Sequence, residues 1–310
     1  MGKIKNFVAV DFEFPEGATP ISDYSGLKIP WVHNTGDLNR VEAENILKAQ
    51  RKYLRNPIDD PKNWFDAKGL KSIHQAMFGD VWEWAGAYRK EITSIGIRPG
   101  LIPSQLAAFC VEVQAWLQYP TELTFVEMAA RIHHRLVYIH PFENGNGRFS
   151  RLIADRFLLA WKCPYPTWPN QLYHESAVRK EYIQTLRDAD GGNYTSLIGF
   201  MKKLGTRDPT IVDLLTNNFY QTRLRGDRLL AVVRALLRNG ATPNEETLKG
   251  HRPLHLAVGA GLEEVVRVLI DAGAEIDIRD QTGLTPFQVA VKQENKVLAD
   301  FLLSKGAKRF

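Results

Sequence analysis

Apolar side chains recur at three- and four-residue steps over residues up to about 205, the spacing that lines one face of an α-helix. From Asp37 to Leu54, the positions Leu38, Val41, Ile46 and Leu47 follow it, and so do Ser104 to Leu117, Leu123 to Ile139 and Arg148 to Trp161. The pattern predicts a mainly α-helical region. Between Tyr88 and Pro103 the text changes to RKEITSIGIRPGLIP, where Ile alternates with Thr or Ser around Gly96 and predicts a short β-hairpin. Trp82, Trp84, Tyr88 and Trp116 read as core aromatics.

The C-terminal third repeats itself. Gly240-Ala241, Gly273-Ala274 and Gly306-Ala307 close the runs LLRNGA, LIDAGA and LLSKGA, with successive glycines 33 residues apart. In the same register Pro253 and Pro286 each open a short helix lined by Leu254/Ala257 and Phe287/Ala290. These units resemble ankyrin repeats: a partial N-terminal cap, DRLLAVVRALLRNGA, and two full repeats. Each such unit buries its apolar face only against its neighbours.

Composition narrows the classes. With 310 residues, 44% hydrophobic and 24% charged, the chain can bury a sizeable core and disorder is excluded as a default. A net charge of +5 gives a mild pull on anions, but the signs are mixed throughout, so nucleic acid stays open with no segment to carry it. Cys110 and Cys163 lie outside any Cys-x-x-Cys pattern and read as core thiols in a reducing compartment. No run approaches the ~18 apolar residues of a membrane span, and the leading MGKIKNFVAVDFEFPEG carries acids where a secretory signal is apolar. The expectation is no membrane and a cytoplasmic location in the producing cell. Self-association as a homodimer is left open.

His140 to Arg151, HPFENGNGRFSR, joins two amphipathic helices. Gly145 and Gly147 let backbone N–H groups crowd an anion, and the helix starting near Gly147 adds its positive N-terminal end. Arg148 and Arg151, at i and i+3, supply permanently charged forks for phosphoryl oxygens. His140 can take a proton from a hydroxyl near neutral pH. Singly, each feature is ordinary: a helix-end histidine, a turn, a solvated basic face. Together they point to phosphate chemistry. His133 and His134 are adjacent, so they point roughly 100° apart on a helix, and no acidic partner completes a metal site with them.

The segment resembles the signature of Fic domains, His-x-Phe-x-(Asp/Glu)-Gly-Asn-Gly-Arg-x-x-Arg, at every fixed position but one. FGDVWEWAGAYRK, RKEITSIGIRPGLIP, EYIQTLRDADGGNYTSLIGF and the leading GATPISDYSGLKIP are similar to the branch called mobile mystery protein B. The resemblance implies a helical Fic fold with a β-hairpin flap, followed by an ankyrin stack. Its bounds would be an N-terminal extension with an inhibitory helix over 1–60, a catalytic domain over 61–205, a connector over 206–226 and repeats over 227–310.

It also implies a nucleotidyltransferase, a protein adenylyltransferase that moves AMP from ATP to a Ser, Thr or Tyr hydroxyl of a target protein recruited by the repeats. His140 would be the base. Gly145, Asn146 and Gly147 would hold phosphates, Arg148 the α/β region and Arg151 the γ-phosphate, with Tyr182 and Leu186 walling the adenine. Thr93, Ser94, Ile95, Gly96 and Ile97 would pin the target by strand addition. Asn144 stands where the family has its acidic Mg²⁺ ligand, so Mg²⁺ or Mn²⁺ would be held weakly.

Many Fic proteins restrain transfer with a helical Glu that pairs with the second motif arginine. In VEAENIL the candidates are Glu44 and Glu42, expected on Arg151, either restraining transfer or assisting AMP removal (deAMPylation), against a plain solvated acidic face. Another donor (UMP or phosphocholine), a decayed site on an ankyrin interaction protein, and export into a host cell as an effector remain alternatives.

Overall fold

The computed structural model describes residues 25–55, 59–173, 176–246, 250 and 252–309. The GATPISDY stretch lies outside them. They divide into two compact units. The first runs to Leu117 and resumes from Phe125 to Arg207; the second takes Gln118–Thr124 and the chain from Asp208 onward.

The first unit is built from α1 (Thr35–Tyr53), α2 (Ala67–Phe78), α3 (Ile102–Gln118), α4 (Phe125–Ile139), α5 (Asn146–Ala160), α6 (Ala177–Asp190) and α7 (Thr195–Lys203). Side-chain caps fix where they start: Asn34 accepts the Asp37 N–H, Asp66 the Gly69 N–H and Ser176 the Arg179 N–H. α5 is the central helix. Phe149, Ile153, Ala154, Phe157 and Leu158 on it are completely buried, and so is polar Ser150. A helix buried on all sides holds a motif at its first turn far more rigidly than a surface helix. α4 packs along α5, with Phe125 stacked on Trp161 at 4.5 Å between ring centroids. α2 also packs on α5, α1 packs on α2, and α6 and α7 pack on α4 and on each other.

The hairpin expected at 88–103 does not form strands. In that stretch the one ladder contact is an antiparallel bridge between Tyr88 and Phe142, and residues 91–98 are an irregular loop. A side chain replaces the ladder: the Arg89 guanidinium donates to the carbonyls of both Glu91 (2.7 Å) and Ile97, tying the two arms from within. Once those carbonyls are taken, alternation of Ile and Thr no longer needs a partner strand.

The second unit contains α8 (Ile211–Thr216), α9 (Asn218–Arg223), α10 (Asp227–Arg238), α11 (Pro253–Gly259), α12 (Glu263–Asp271), α13 (Pro286–Lys292) and α14 (Lys296–Ser304). The stretch expected as a connector therefore carries two helices. α8 packs on α10 and α11, and its Val212 N–H donates to Glu245 Oε1 at 2.8 Å. The repeat is visible bond by bond. Ala241, Ala274 and Ala307 donate to Leu236, Leu269 and Leu302 in turn, and Asn244 and Asp277 accept from Glu275 and Lys308 at 2.8 and 2.9 Å. The repeats differ at one cap. Thr285 and Gln288 make a full capping box on α13, whereas the matching Arg252 caps nothing on α11 and donates instead to Asn244 O and the Glu246 carboxylate.

Among the described residues no helix is long and apolar enough to cross a membrane.

Candidate active site

The loop between α4 and α5 is shaped by its side chains before any ligand is considered. His140 ends the helix in the left-handed region, φ 50°, a strained choice for a residue with a Cβ. Gly145 is left-handed at φ 78°, and a Cβ there would meet the Phe78 ring at 2.3 Å. Gly147 differs: it lies in the first turn of α5, and a Cβ there would meet nothing closer than Arg151 Nη1 at 3.7 Å. The first glycine is required by the backbone; the second leaves room above it. Asn146, 2% exposed, bridges the loop, with Nδ2 donating to Phe142 O (2.7 Å) and Oδ1 accepting from Phe142 N (3.0 Å). The side chain of Asn146 is thus occupied within the loop. Asn146 closes the turn and can meet an anion only through its backbone N–H at the helix start.

Two residues not singled out from the sequence hold the loop from outside. His74 on α2 is completely buried and stacks on Phe142 at 3.7 Å between centroids. Gly86 N–H donates to its Nδ1 at 3.0 Å, so the proton sits on Nε2, which donates to Asn144 O at 3.0 Å. Burial lowers its pKa to about 3, keeping it neutral. Arg89, 3% exposed, donates from Nε to His140 O at 2.6 Å. A histidine and an arginine inside a core carry no periodic signal, and the sequence offered none.

His140 is partly buried at the loop mouth, with Nδ1 3.3 Å from Val137 O. A carbonyl only accepts, so Nδ1 bears the hydrogen and Nε2 carries the lone pair. Burial is the main force lowering its pKa to about 4, opposed by the Val137 contact and assisted by Arg89. The ring is neutral at pH 7.

The arginines are arranged differently from expectation. Arg148 Nη1 donates to Glu42 Oε2 at 2.7 Å, with its guanidinium 4.9 Å from the Phe78 ring centre. Glu42, 3% exposed, is fixed by Trp82 Nε1 on its other oxygen at 2.7 Å. The expected acid–arginine pair exists, then, but with Glu42 on Arg148 rather than on Arg151, and Glu44 is exposed. The helical period explains it: Val41, Glu42, Asn45 and Ala49 share the buried face, from which Glu44 is turned away.

Arg151 is 7% exposed, with its guanidinium 5.8 Å from the Trp168 ring centre. It lies above a buried polar cluster. Trp168 Nε1 donates to both Asp155 oxygens at 2.9 and 3.1 Å, and Tyr182 OH and His133 Nε2 are 2.8 Å apart. Burial pushes Asp155 up to about 8, partly countered by Trp168 and Arg151, and lowers His133 to about 3. Tyr182 sits among Leu172, Phe200, Trp168 and Leu186 at 5% exposure. Both residues expected to wall an adenine, Tyr182 and Leu186, therefore belong to one apolar cluster.

In the flap, Thr93 Oγ1 donates to Ile95 O at 2.6 Å, Ser94 and Ile95 are exposed, Ile97 is half-buried, and Gly96 rests against His140.

For a metal ion the described side chains offer little beyond one neutral oxygen. The amide oxygen of Asn144 already accepts Gly145 N–H at 2.6 Å, and no described group of three His, Cys, Asp or Glu could hold an ion.

A histidine- and arginine-bearing loop at the start of a buried helix, with a helical repeat array as a separate unit, defines a two-part class of protein. Residues 64–158 match the Fic/DOC family and residues 224–309 match ankyrin repeats, so the chain carries a Fic domain and an ankyrin segment. It is 29% identical over 160 residues to the protein adenylyltransferase Fic of Aedes aegypti, covering 50% of this chain and 30% of that protein. With the enzyme of the same name from Drosophila willistoni it shares 31% over 139 residues, 43% of this chain and 26% of the relative. The chain thus spans less than a third of the curated relatives it matches. The solved Fic-1 of C. elegans superposes with a TM-score of 0.43 at 21% identity, covering 57% of this chain and 50% of that one.

Proposed function

We propose that this chain transfers AMP from ATP to a hydroxyl side chain of a target protein. The observation that carries the reading is the His140 ring, whose Nδ1–H is committed to Val137 O so that Nε2 carries the lone pair, on the loop that runs into the Gly145–Arg148 turn. Nε2 takes the proton of the target hydroxyl, the oxygen attacks the α-phosphorus, the bond to the bridging oxygen breaks and pyrophosphate leaves. Backbone N–H groups at the start of α5 and the Arg148 and Arg151 guanidiniums hold the triphosphate. Its negative charge raises the basicity of His140 from its depressed starting point. The names of the relatives matching half of this chain support the adenylyl group as cargo.

Glu42 restrains this reaction. It occupies Arg148 with a buried carboxylate that a phosphate must displace. The same carboxylate, once freed, can orient a water for AMP removal. The ankyrin unit recruits the target.

The test is incubation of the purified protein and its His140→Ala form with ATP, GTP, UTP or CDP-choline, read by intact mass. One added AMP from ATP, absent in the variant, is expected. Transfer from another donor replaces the cargo; none from any donor, with partner binding retained, makes the chain an interaction protein.

A further inference from the structure

The flap and the imidazole share one anchor. Arg89 follows Tyr88, the residue bridged to Phe142, and its guanidinium is enclosed by backbone oxygens on three sides: His140 O from Nε, Glu91 O from Nη1 and Ile97 O from Nη2. Its own N–H donates to Pro141 O at 3.0 Å, so main chain and side chain grip the same turn. A guanidinium is the side chain able to satisfy carbonyls in three directions at once, because its donors are fixed in a planar fork.

Gly96, φ 109°, sits against this anchor. A Cβ there would lie 2.4 Å from His140 Cβ and 2.8 Å from Arg89 Nη2, so the flap touches the base through a glycine and tolerates nothing larger.

Two consequences follow. His140 keeps a left-handed backbone that its own chemistry disfavours, and the Nε contact on its carbonyl is a bond that an αR conformation would redirect. The two flap arms are spaced by a buried charge rather than by a ladder, which leaves the N–H groups of exposed Ser94 and Ile95 and the Ser94 C=O outside the clamp, while Ile95 O takes the Thr93 hydroxyl. Displacing Arg89 releases the flap and the ring together.

The geometry points to Arg89 as the positioning residue of the site: through one guanidinium it sets the distance between the edge that receives the target peptide and the imidazole that deprotonates the target's hydroxyl. This rests on the reading of His140 as the base, and it assigns Arg89 no contact with nucleotide or phosphate. Misplacement of a reacting group by about 1 Å costs on the order of 100-fold in rate, so the clamp acts on turnover rather than on ATP binding.

The experiment follows the His140 ring by NMR with labelled histidine, alongside transfer kinetics, in wild type, Arg89→Gln, Arg89→Lys and Gly96→Ala. The ring is titrated in the whole chain without nucleotide, an arm that needs no activity. In Arg89→Gln the midpoint is expected to rise from about 4 toward the ordinary 6.5, because a neighbouring cation is removed and the released flap exposes the ring. Turnover is expected to fall about 10- to 100-fold while the ATP Kd stays within about twofold. Arg89→Lys keeps a charge without the fork and should lose turnover as well. Gly96→Ala pushes the flap off from its own side and raises the midpoint with Arg89 intact, which keeps the test decisive should a variant at residue 89 unfold. An unchanged midpoint in both Arg89→Gln and Gly96→Ala overturns the clamp, and full turnover in Arg89→Lys reduces the residue to a point charge. Absence of transfer in wild type itself would defeat the catalytic reading and leave the NMR arm to judge the clamp.

Discussion

The two units solve the burial problem in opposite ways. The repeat unit buries almost pure hydrocarbon: Leu254, Ala257, Val266, Leu269, Ala290, Leu298 and Leu302, with His255 and Thr285 as its buried polar side chains apart from Thr124. Its polar ties run one repeat to the next, as from Asn244 to Glu275 and from His255 to Leu284 O. The Fic unit instead buries Glu42, His74, Arg89, His133, Arg151, Asp155 and Arg156. Its ties cross long stretches of sequence, Glu42 to Arg148 and His74 to Asn144. Buried ionisable groups cost stability unless fully partnered, so a domain that keeps so many is holding geometry at the expense of robustness.

Acid should separate the units most strongly. His74, His133 and His140 have folded pKa values near 3, 3 and 4, below the unfolded 6.5, so below pH 6.5 the unfolded chain binds protons that the folded one refuses and stability falls with pH. Asp155, raised to about 8, works oppositely: its contribution is complete below its unfolded 3.8 and is lost as pH rises through 8. Net, the Fic unit should be most stable near neutrality and lose roughly 2–3 kcal/mol per pH unit between about 6 and 4.5. In the repeat unit His255 and Asp280 are the groups lowered, one histidine against three, so its loss between pH 6 and 4.5 should be smaller. Hydrogen exchange at pH 5 and pH 7 reads both; equal acid sensitivity would erase the contrast.

Next in size is Gly145→Ala, which forces a left-handed Ala against the Phe78 ring. A loss of about 2–3 kcal/mol in urea denaturation is expected. Gly147→Ala should cost well under half of that, since its Cβ has room. Glu42→Gln keeps the Trp82 bond and removes the charge on Arg148. ATP binding by calorimetry should tighten about tenfold, and unchanged affinity would reduce the pair to a structural one. Smallest is Thr285→Ala in the repeat unit, where loss of a capping box should cost about 1 kcal/mol and speed exchange only at the start of α13.

What could be read from the sequence follows the same division. The repeats were legible throughout because their bonds recur every 33 residues and their contacts are local. In the Fic unit α1, α3, α4 and α5 were legible within two residues, α1 starting at Thr35 against an expected Asp37 and α5 at Asn146 against Arg148, whereas α2, α6 and α7 were not picked out. His140, the Gly145 turn and the acid–arginine pair were legible as residue types. Their pairing was not: choosing Glu42 over Glu44, and Arg148 over Arg151, depends on which face of α1 is buried, and that is settled by Trp82 forty residues away. The hairpin failed for a similar reason, since Ile-Thr alternation cannot reveal an arginine that satisfies the carbonyls of both arms.

The most direct test of adenylyl transfer compares ATP labelled at the α-phosphorus with ATP labelled at the γ-phosphorus, each incubated with Glu42→Gln protein and with Glu42→Gln/His140→Ala. Label should stay on protein from the α-position only, and vanish when His140 is absent. Retention of the γ-label, or equal α-label in the double variant, would contradict a base-assisted attack on the α-phosphorus.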